Sequence, residues 1–184
     1  VMTIINMLTD RDFDSFSHIK HWNGTPTNKP ITLPHHSWWV SLLARSLAEE
    51  LDLHDSDKLA IIDHAMCHDL DEMFTGDLVH PFKHNTINGE KIRALVDEYV
   101  AEAINKKWPY ESTSLLNLFF RNVIAVESKS LIKRVVKLAD NLSFYNYLQV
   151  EIRMGNEYFH SIYPYCLELI IKAASNVLIS MGAE

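Results

Sequence analysis

The stretch SLIKRVVKLADNLSFYNYLQVEIRM, residues 130–154, carries the clearest secondary-structure pattern in this chain. Its apolar residues recur at every third or fourth position, the spacing that lines one face of an α-helix. These positions are Leu131, Val135, Leu138, Leu142, Tyr145, Leu148 and Ile152. Gly155 follows and suits the position just past the end of a helix. The stretch therefore predicts one long helix.

Two segments before it show the same helical spacing. A first helix is predicted after Pro34, because residues 23–34 are rich in proline, glycine and asparagine and predict an extended loop. A second helix is predicted from a cap at Asp55 or Ser56 to an end near Thr75 and Gly76. Their apolar faces are formed by Val40, Leu43, Leu47 and Leu51 in the first helix, and by Leu59, Ile62 and Met66 in the second.

The remaining segments favour the same fold class. Residues 86–108 show helical spacing after a break at Pro81, and residues 156–181 do so with an interruption at Pro164. Residues 114–127 fit a helix or a buried strand, and their helical neighbours favour a helix. The chain has no strand-like alternation of useful length. We therefore predict an all-α fold, a single bundle of about six or seven helices.

The composition is that of an ordinary globular protein with excess negative charge. The chain has 184 residues, 47% of them hydrophobic and 22% charged, and a formal net charge of −7. This charge argues against nucleic acid or an anionic membrane as a partner, so an anionic substrate would need local positive charge, most simply a metal ion. Two cysteines form no disulfide framework, and no stretch resembles a membrane span or a secretory signal. We expect a cytoplasmic protein.

Ligand-type side chains occupy inward positions on three of the predicted helices. His36 is in register with Val40 on the first helix, and Asp69, next to His68, is in register with the apolar face of the second. Asp140 lies between apolar stripes of the long helix, where an ionised carboxylate is costly without a cation. Two imidazoles and two carboxylates suit a divalent ion. Two alternatives stay open: Asp140 could pair with a core arginine, and His64 could form a separate metal-binding pair with His68.

Three stretches together match a known pattern. They are HSWWVSLLARSLA (36–48), HDLDEMFTGDLVHPFK (68–83) and VVKLADNLSFYNYLQVEIRMGN (135–156). The isolated histidine, the adjacent His-Asp pair and the distant aspartate resemble the H…HD…D pattern of the HD-domain metal-dependent phosphohydrolases, which are all-helical. Within that superfamily the chain is similar to the small deoxynucleotide-hydrolysing branch of bacterial 5′-deoxynucleotidases and phage dATP triphosphohydrolases. The similarity implies one HD domain over residues 1–184, with its core at about 22–156 and a C-terminal helical segment at 156–184.

The resemblance implies which residues hold the metal and handle protons. The metal ligands would be His36, His68, Asp69 and Asp140. The bound ion would be divalent, with Co²⁺, Zn²⁺ or Mn²⁺ expected and Mg²⁺ also admissible. Glu72 and Asp77 match the acidic catalytic pair of the family.

The resemblance also implies substrate-binding residues. Trp22 matches a tryptophan that packs on the nucleoside, and Lys83 matches a lysine near the phosphate. Thr75, with Gly76, shapes the turn that aims Asp77 at the substrate. His21 stands where the bacterial nucleotidases carry a phosphate-binding arginine, so substrate choice is the property that this departure affects.

The expected function is hydrolysis of 2′-deoxynucleoside 5′-phosphates. The histidine at position 21 tilts the prediction slightly toward a dNTP triphosphohydrolase acting on dATP, with a 5′-deoxynucleotidase acting on dNMPs as the alternative. A nucleotide-sensing HD protein without turnover is a remote alternative, because both Glu72 and Asp77 are present. The partner is then a small deoxynucleotide, and the apolar last helix and the paired tryptophans are consistent with a homo-oligomer.

Overall fold

The computed structural model describes residues 17–76, 89–107 and 130–182. The elements in these ranges, in chain order, are β1 (Lys20–His21), β2 (Ile31–Thr32), α1 (Leu33–Glu50), α2 (Asp55–Cys67), α3 (Glu72–Thr75), α4 (Gly89–Lys107), α5 (Leu131–Arg153) and α6 (Glu157–Ser180). The all-α prediction is confirmed. The two short strands pair antiparallel, Lys20 opposite Thr32, and form a small hairpin at the start of α1.

The long helix α5 lies at the centre of the described fold. It begins after Ser130, whose hydroxyl accepts a hydrogen bond from the N–H of Lys133, and it ends before Gly155, at a φ of 82°. α1, α2 and α6 all pack against it. The shared core is formed largely by small side chains, which let the helix backbones approach closely: Val40, Ala44, Ala48, Ile61, Ala65, Val135, Ala139, Ala173 and Val177.

Two helix boundaries differ from their predictions because of proline. α1 begins at Leu33, before Pro34 rather than after it. A proline in the first turn of a helix is tolerated, since the N–H it lacks would have no partner there. α6 runs without interruption through Pro164. It gives up one backbone hydrogen bond there, while Phe159 and Cys166, on either side of the proline, are both fully buried.

The prediction for the second helix was wrong in its face and in its end. Leu59 and Met66 are 61% and 58% exposed, and the buried side of α2 is formed by Ile61, His64 and Ala65. α2 ends at Cys67, and a separate single turn, α3, ends at Thr75, directly before Gly76 with its φ of 69°. The stop at Gly76 is therefore correct, but it ends a different helix.

Two further segments complete the comparison with prediction. The helix predicted over residues 86–108 is confirmed as α4. The segment 114–127 lies outside the described residues. α6 is long and apolar enough to cross a membrane. This is weak evidence for a membrane span, because a core helix of a soluble protein passes the same test.

Candidate active site

His36 is carried by α1 and contacts two residues of α5. It lies in the first turns of α1 with 2% of its surface exposed, so its predicted inward direction is correct. Its Nδ1 is 3.3 Å from the hydroxyl oxygen of Ser143 on α5. A hydrogen bond at Nδ1 fixes the ring and leaves Nε2 to face the site.

His68 and Asp69 follow directly on the last residue of α2. The Nδ1–H of His68 donates to the carbonyl oxygen of Ala65 over 2.7 Å, which fixes the tautomer with Nε2 as the atom facing Asp69. That Nε2 lies 3.2 Å from Oδ2 of Asp69. The break in the helix thus turns both side chains to one side.

The four predicted ligands lie close together, three of them in one group and Asp140 beside His36. Nε2 of His36 lies 3.2 Å from Oδ1 of Asp140 and 3.6 Å from Oδ2 of Asp69. One ligand atom each from His36, His68 and Asp69 falls within a 4.8 Å span. Within the described part of the chain, neither histidine Nε2 has a hydrogen-bond partner, although both are buried. Two orphaned imidazole nitrogens facing two carboxylates fit a divalent cation.

Neighbouring charged groups shift the pKa values of the site residues. Burial would raise the pKa of Asp140, but Lys137, whose Nζ is 2.6 Å from Oδ2, and His36 outweigh burial and hold that pKa well below its usual range. Burial likewise opposes a charge on His68, yet Asp69 and Asp140 raise the pKa of His68 to about 9. The sequence left open that Asp140 pairs with a core arginine. The structure pairs it with a lysine instead, Lys137, one turn earlier on the same helix.

His64 takes no part in the ligand cluster. Burial lowers the pKa of His64 to about 4, with His68 adding to the effect. The groupings of ligand atoms found among the described residues join His68 to His36 and Asp69, and none includes His64. A metal site built on the His64–His68 pair would therefore have no third ligand among the described residues, and the pair itself stays a prediction.

His21 and Glu72 form a second group beside the first. Each places one ligand atom within 4.8 Å of Asp69 and of the other. The ring of His21 stacks on that of His36 with 4.1 Å between centroids, and burial, with His36, lowers the pKa of His21 to about 3. Glu72, at the start of α3, is only 3% exposed.

Four further residues were predicted to bind the substrate or move protons: Trp22, Thr75, Asp77 and Lys83. Trp22, at a φ of 64°, stacks on Phe144 with 4.4 Å between ring centroids and belongs to an aromatic cluster that also contains Tyr147. The hydroxyl of Thr75 donates to the carbonyl oxygen of Gly76 over 3.0 Å and so supports the turn. Asp77 and Lys83 lie outside the described residues.

Glu151 is a fully buried acid that was not predicted from the sequence. Its carboxylate accepts hydrogen bonds from the backbone N–H groups of Asn28 and Lys29, at 2.8 and 2.7 Å, and from the side chain of Asn156. Tyr147 also donates to the carbonyl oxygen of Lys29. These bonds fasten the loop between β1 and β2 to α5, and the hairpin carries His21. The sequence contained one indication that Glu151 is buried: it lies in register with the apolar residue Leu148 on the same helix.

Comparison with known proteins yields one family and two similar folds. A family model described as 5′-deoxynucleotidase YfbR-like matches residues 13–179. The cyanophage S-2L HD phosphohydrolase DatZ, bound to dA and one catalytic Zn²⁺ ion, is 17% identical with a TM-score of 0.58, over 91% of this chain and 95% of that one. An HD-domain phosphohydrolase from Listeria innocua is also 17% identical, with a TM-score of 0.62, over 91% and 80%. No curated protein sequence matches significantly.

Proposed function

Because the chain belongs to the YfbR-like 5′-deoxynucleotidase family and is a metal-dependent phosphohydrolase, we propose that it removes the 5′-phosphate of 2′-deoxynucleoside monophosphates. The resemblance of the sequence to HD-domain deoxynucleotide hydrolases is thereby confirmed at the level of the family. The observation that carries the proposal is the close approach of four ligand-type side chains from α1, the turn after α2, and α5. His36 lies beside Asp69 and Asp140, and His68 lies beside Asp69.

These four side chains are proposed to hold the divalent ion. A bound ion supplies a Lewis acid for a phosphoryl oxygen and lowers the pKa of water. The chain fixes the ligand geometry through the bonds from His36 to Ser143 and from His68 to Ala65. Co²⁺, Zn²⁺ and Mn²⁺ all accept such a mixture of imidazole and carboxylate ligands.

Glu72 is proposed to handle the proton of the attacking water. It is buried and its carboxylate lies beside Asp69, so it would be close to a water that attacks a phosphate held at the proposed metal site. In the reaction the water oxygen bonds to phosphorus, the bond from phosphorus to the 5′ oxygen breaks, and a proton reaches that leaving oxygen. Asp77 remains the proposed donor of that proton, and Trp22 and Lys83 remain proposed contacts of nucleoside and phosphate.

A dNTP triphosphohydrolase acting on dATP is the second candidate function. It is favoured by His21, which stands where nucleotidases of the resembled branch carry an arginine, and by the dA bound to the cyanophage protein. The description of the matching family favours the monophosphate instead. The sequence-based preference for a triphosphate therefore stays a prediction, ranked second.

One assay separates the two. Protein loaded with Co²⁺ or Mn²⁺ is incubated with each dNMP, NMP and dNTP, and products are resolved by anion-exchange chromatography. The proposal expects orthophosphate and deoxynucleoside from dNMPs only. Tripolyphosphate released from dATP, with dNMPs untouched, would establish the second candidate in its place. Asp69→Ala, which removes a proposed ligand, serves as the inactive control.

A homo-oligomer is also proposed. Several apolar side chains on α6 are exposed, Ile171 and Ile179 by more than 60% each. Burying such side chains against a second copy would be favourable. Light scattering coupled to size-exclusion chromatography gives the mass directly, and a mass of 21.2 kDa would show a monomer.

A further inference from the structure

We propose that α6 pairs with α6 of a second copy of this chain, in an antiparallel arrangement, through an apolar stripe that faces solvent. The inference refines the homo-oligomer proposed above and does not depend on hydrolysis. Apolar residues that alternate at spacings of three and four are typical of a helix that packs lengthwise against another helix. α6 carries this pattern on two of its sides.

The inner stripe of α6 faces the core of the described fold, and through it α6 packs on α5. Its members follow one another at spacings of four and three, and all are buried or half-buried: Phe159, Tyr163, Cys166, Ile170, Ala173 and Val177. This stripe explains one of the two apolar sides.

The outer stripe lies one residue further along and is largely exposed. Its spacings are three, four, three, four and three, and it contains no charged residue: Pro164, Leu167, Ile171, Ala174, Leu178 and Met181. Ile171 is 66% exposed, Leu178 52%, Met181 44% and Leu167 36%, and Ala174 is half-buried. One residue turns an α-helix by about 100°, so the two stripes face different neighbours. The described part of the chain leaves the outer stripe largely uncovered.

The two stripes together explain why α6 is apolar enough to cross a membrane although 17% of the qualifying stretch is buried. A membrane span is apolar on all sides. The third side of α6 instead carries Glu168 and Lys172, both exposed. The formal net charge of −7 also opposes contact with an anionic membrane. A protein helix is therefore the better partner for the outer stripe.

The outer stripe is complementary to itself when two copies run antiparallel. A two-fold axis through its middle places Ile171 opposite the partner's Ala174, so a large side chain meets a small one in the central layer. The next layer pairs Leu167 with the partner's Leu178. A parallel pair would place two Ala174 side chains opposite each other and leave a gap. The antiparallel pair also brings the opposite ends of the two helix dipoles together, and a two-fold contact closes on itself.

The first test is the mass in solution, measured by light scattering after size-exclusion chromatography. The wild-type chain is expected at twice 21.2 kDa or an even multiple of that mass. Ile171→Glu puts a charge into the outer stripe and is expected to halve the wild-type mass. Ile179→Glu is the matched control, because Ile179 is 63% exposed on the same helix but belongs to neither stripe. It should keep the wild-type mass, and circular dichroism checks that both variants are folded.

The second test is cross-linking, which reports the direction of the pair. Leu167→Cys and Leu178→Cys are prepared separately, then mixed, left to exchange subunits and treated with a mild oxidant. Position 167 would lie opposite the partner's position 178, within the roughly 7 Å between Cα atoms that a disulfide tolerates. A disulfide-linked dimer is expected in the mixture and in neither variant alone. The wild-type chain, whose Cys67 and Cys166 are both buried, is the blank.

Three results would overturn the proposal. A wild-type mass of 21.2 kDa would exclude the pair, and if that monomer sediments with vesicles of phosphatidylcholine and phosphatidylglycerol, the outer stripe binds membranes instead. An Ile171→Glu variant that keeps the wild-type mass would place the contact elsewhere. Cross-linking of each cysteine variant with itself would show a parallel pair. Release of phosphate from dNMPs is measured separately, so an inactive dimer would keep the pair and refute the proposed function, whereas an active monomer would do the reverse.

Discussion

Nε2 of His36 lies 3.2 Å from Oδ1 of Asp140, which joins the first turns of α1 to the middle of α5. The next turn of α5 brings Ser143 to the other nitrogen of the same ring. Both nitrogens of one imidazole are thus positioned by a single helix, and any metal bound at Nε2 depends on the bond at Nδ1.

Ser143→Ala should weaken metal binding without removing it. Losing the partner that orients a ligating histidine typically lowers metal affinity or activity about 10- to 100-fold. The measurement is competition for Zn²⁺ with a fluorescent chelator. Ser41→Ala is the control, since Ser41 is also buried but bonds to the carbonyl oxygen of Ser37 on its own helix. Equal affinities in the two variants would show that Ser143 does not orient the ring.

Glu72→Gln should keep the ion held by His36, His68, Asp69 and Asp140 and lose hydrolysis. A positioned general base contributes about 10²- to 10⁴-fold, and the amide cannot take up the proton. Steady-state release of phosphate from a dNMP, together with metal content by mass spectrometry, gives both quantities. Glu50→Gln, at an exposed position of α1, should be indistinguishable from wild type. An active Glu72→Gln enzyme would remove this residue from the mechanism.

The face of α2 predicts a contrast between two neighbouring apolar residues. Ile61 is fully buried and Leu59 is 61% exposed. Ile61→Ala should lower the free energy of unfolding by about 2–5 kcal/mol, because it opens a cavity in the core. Leu59→Ala should change it by about 0.5 kcal/mol or less, as exposed positions usually do. Urea denaturation measures both free energies. A larger loss of stability in Leu59→Ala than in Ile61→Ala would show that the buried face is the one predicted from the sequence.

Glu151→Gln should lower stability in a pH-dependent way. Burial alone would raise the pKa of Glu151, but the donors at Asn28, Asn156 and Lys29 outweigh it and lower that pKa. Because the folded-state pKa is the lower one, the stabilisation is complete above the ordinary glutamate pKa of about 4.3 and is lost as the pH falls through the folded-state value.

At pH 7 the glutamine variant, which cannot satisfy all the donors, should be about 1–3 kcal/mol less stable than wild type. The difference should shrink as the pH falls below about 4. Glu168→Gln, at an exposed position on α6, is the control. A gap between wild type and Glu151→Gln that stays constant down to acidic pH would argue that the carboxylate charge is not what fastens the loop.

The sequence predicted α5 and the inward direction of His36 because large apolar residues repeat there in one phase. It failed on α2 because that helix carries apolar residues on two stripes. The stripe that is buried contains a small residue, Ala65, which lets α2 approach its neighbours closely. The spacing of apolar residues alone does not predict which of two stripes will be buried. Glu151 was missed for another reason: its partners, the N–H groups of Asn28 and Lys29, are far away in sequence, and only the folded chain brings them together.

The end of α2 at Cys67 has a consequence for how the site tolerates change. In an uninterrupted helix the N–H of Asp69 would donate to the carbonyl oxygen of Ala65, the atom that instead receives the imidazole of His68. Nε2 of His68, the nitrogen that faces the proposed metal, is therefore oriented through a carbonyl group that an uninterrupted helix would use for its own backbone hydrogen bond. Substitutions that improve helix formation across residues 68–71 would compete for that acceptor, so a gain in thermal stability and a loss of metal affinity should accompany each other here.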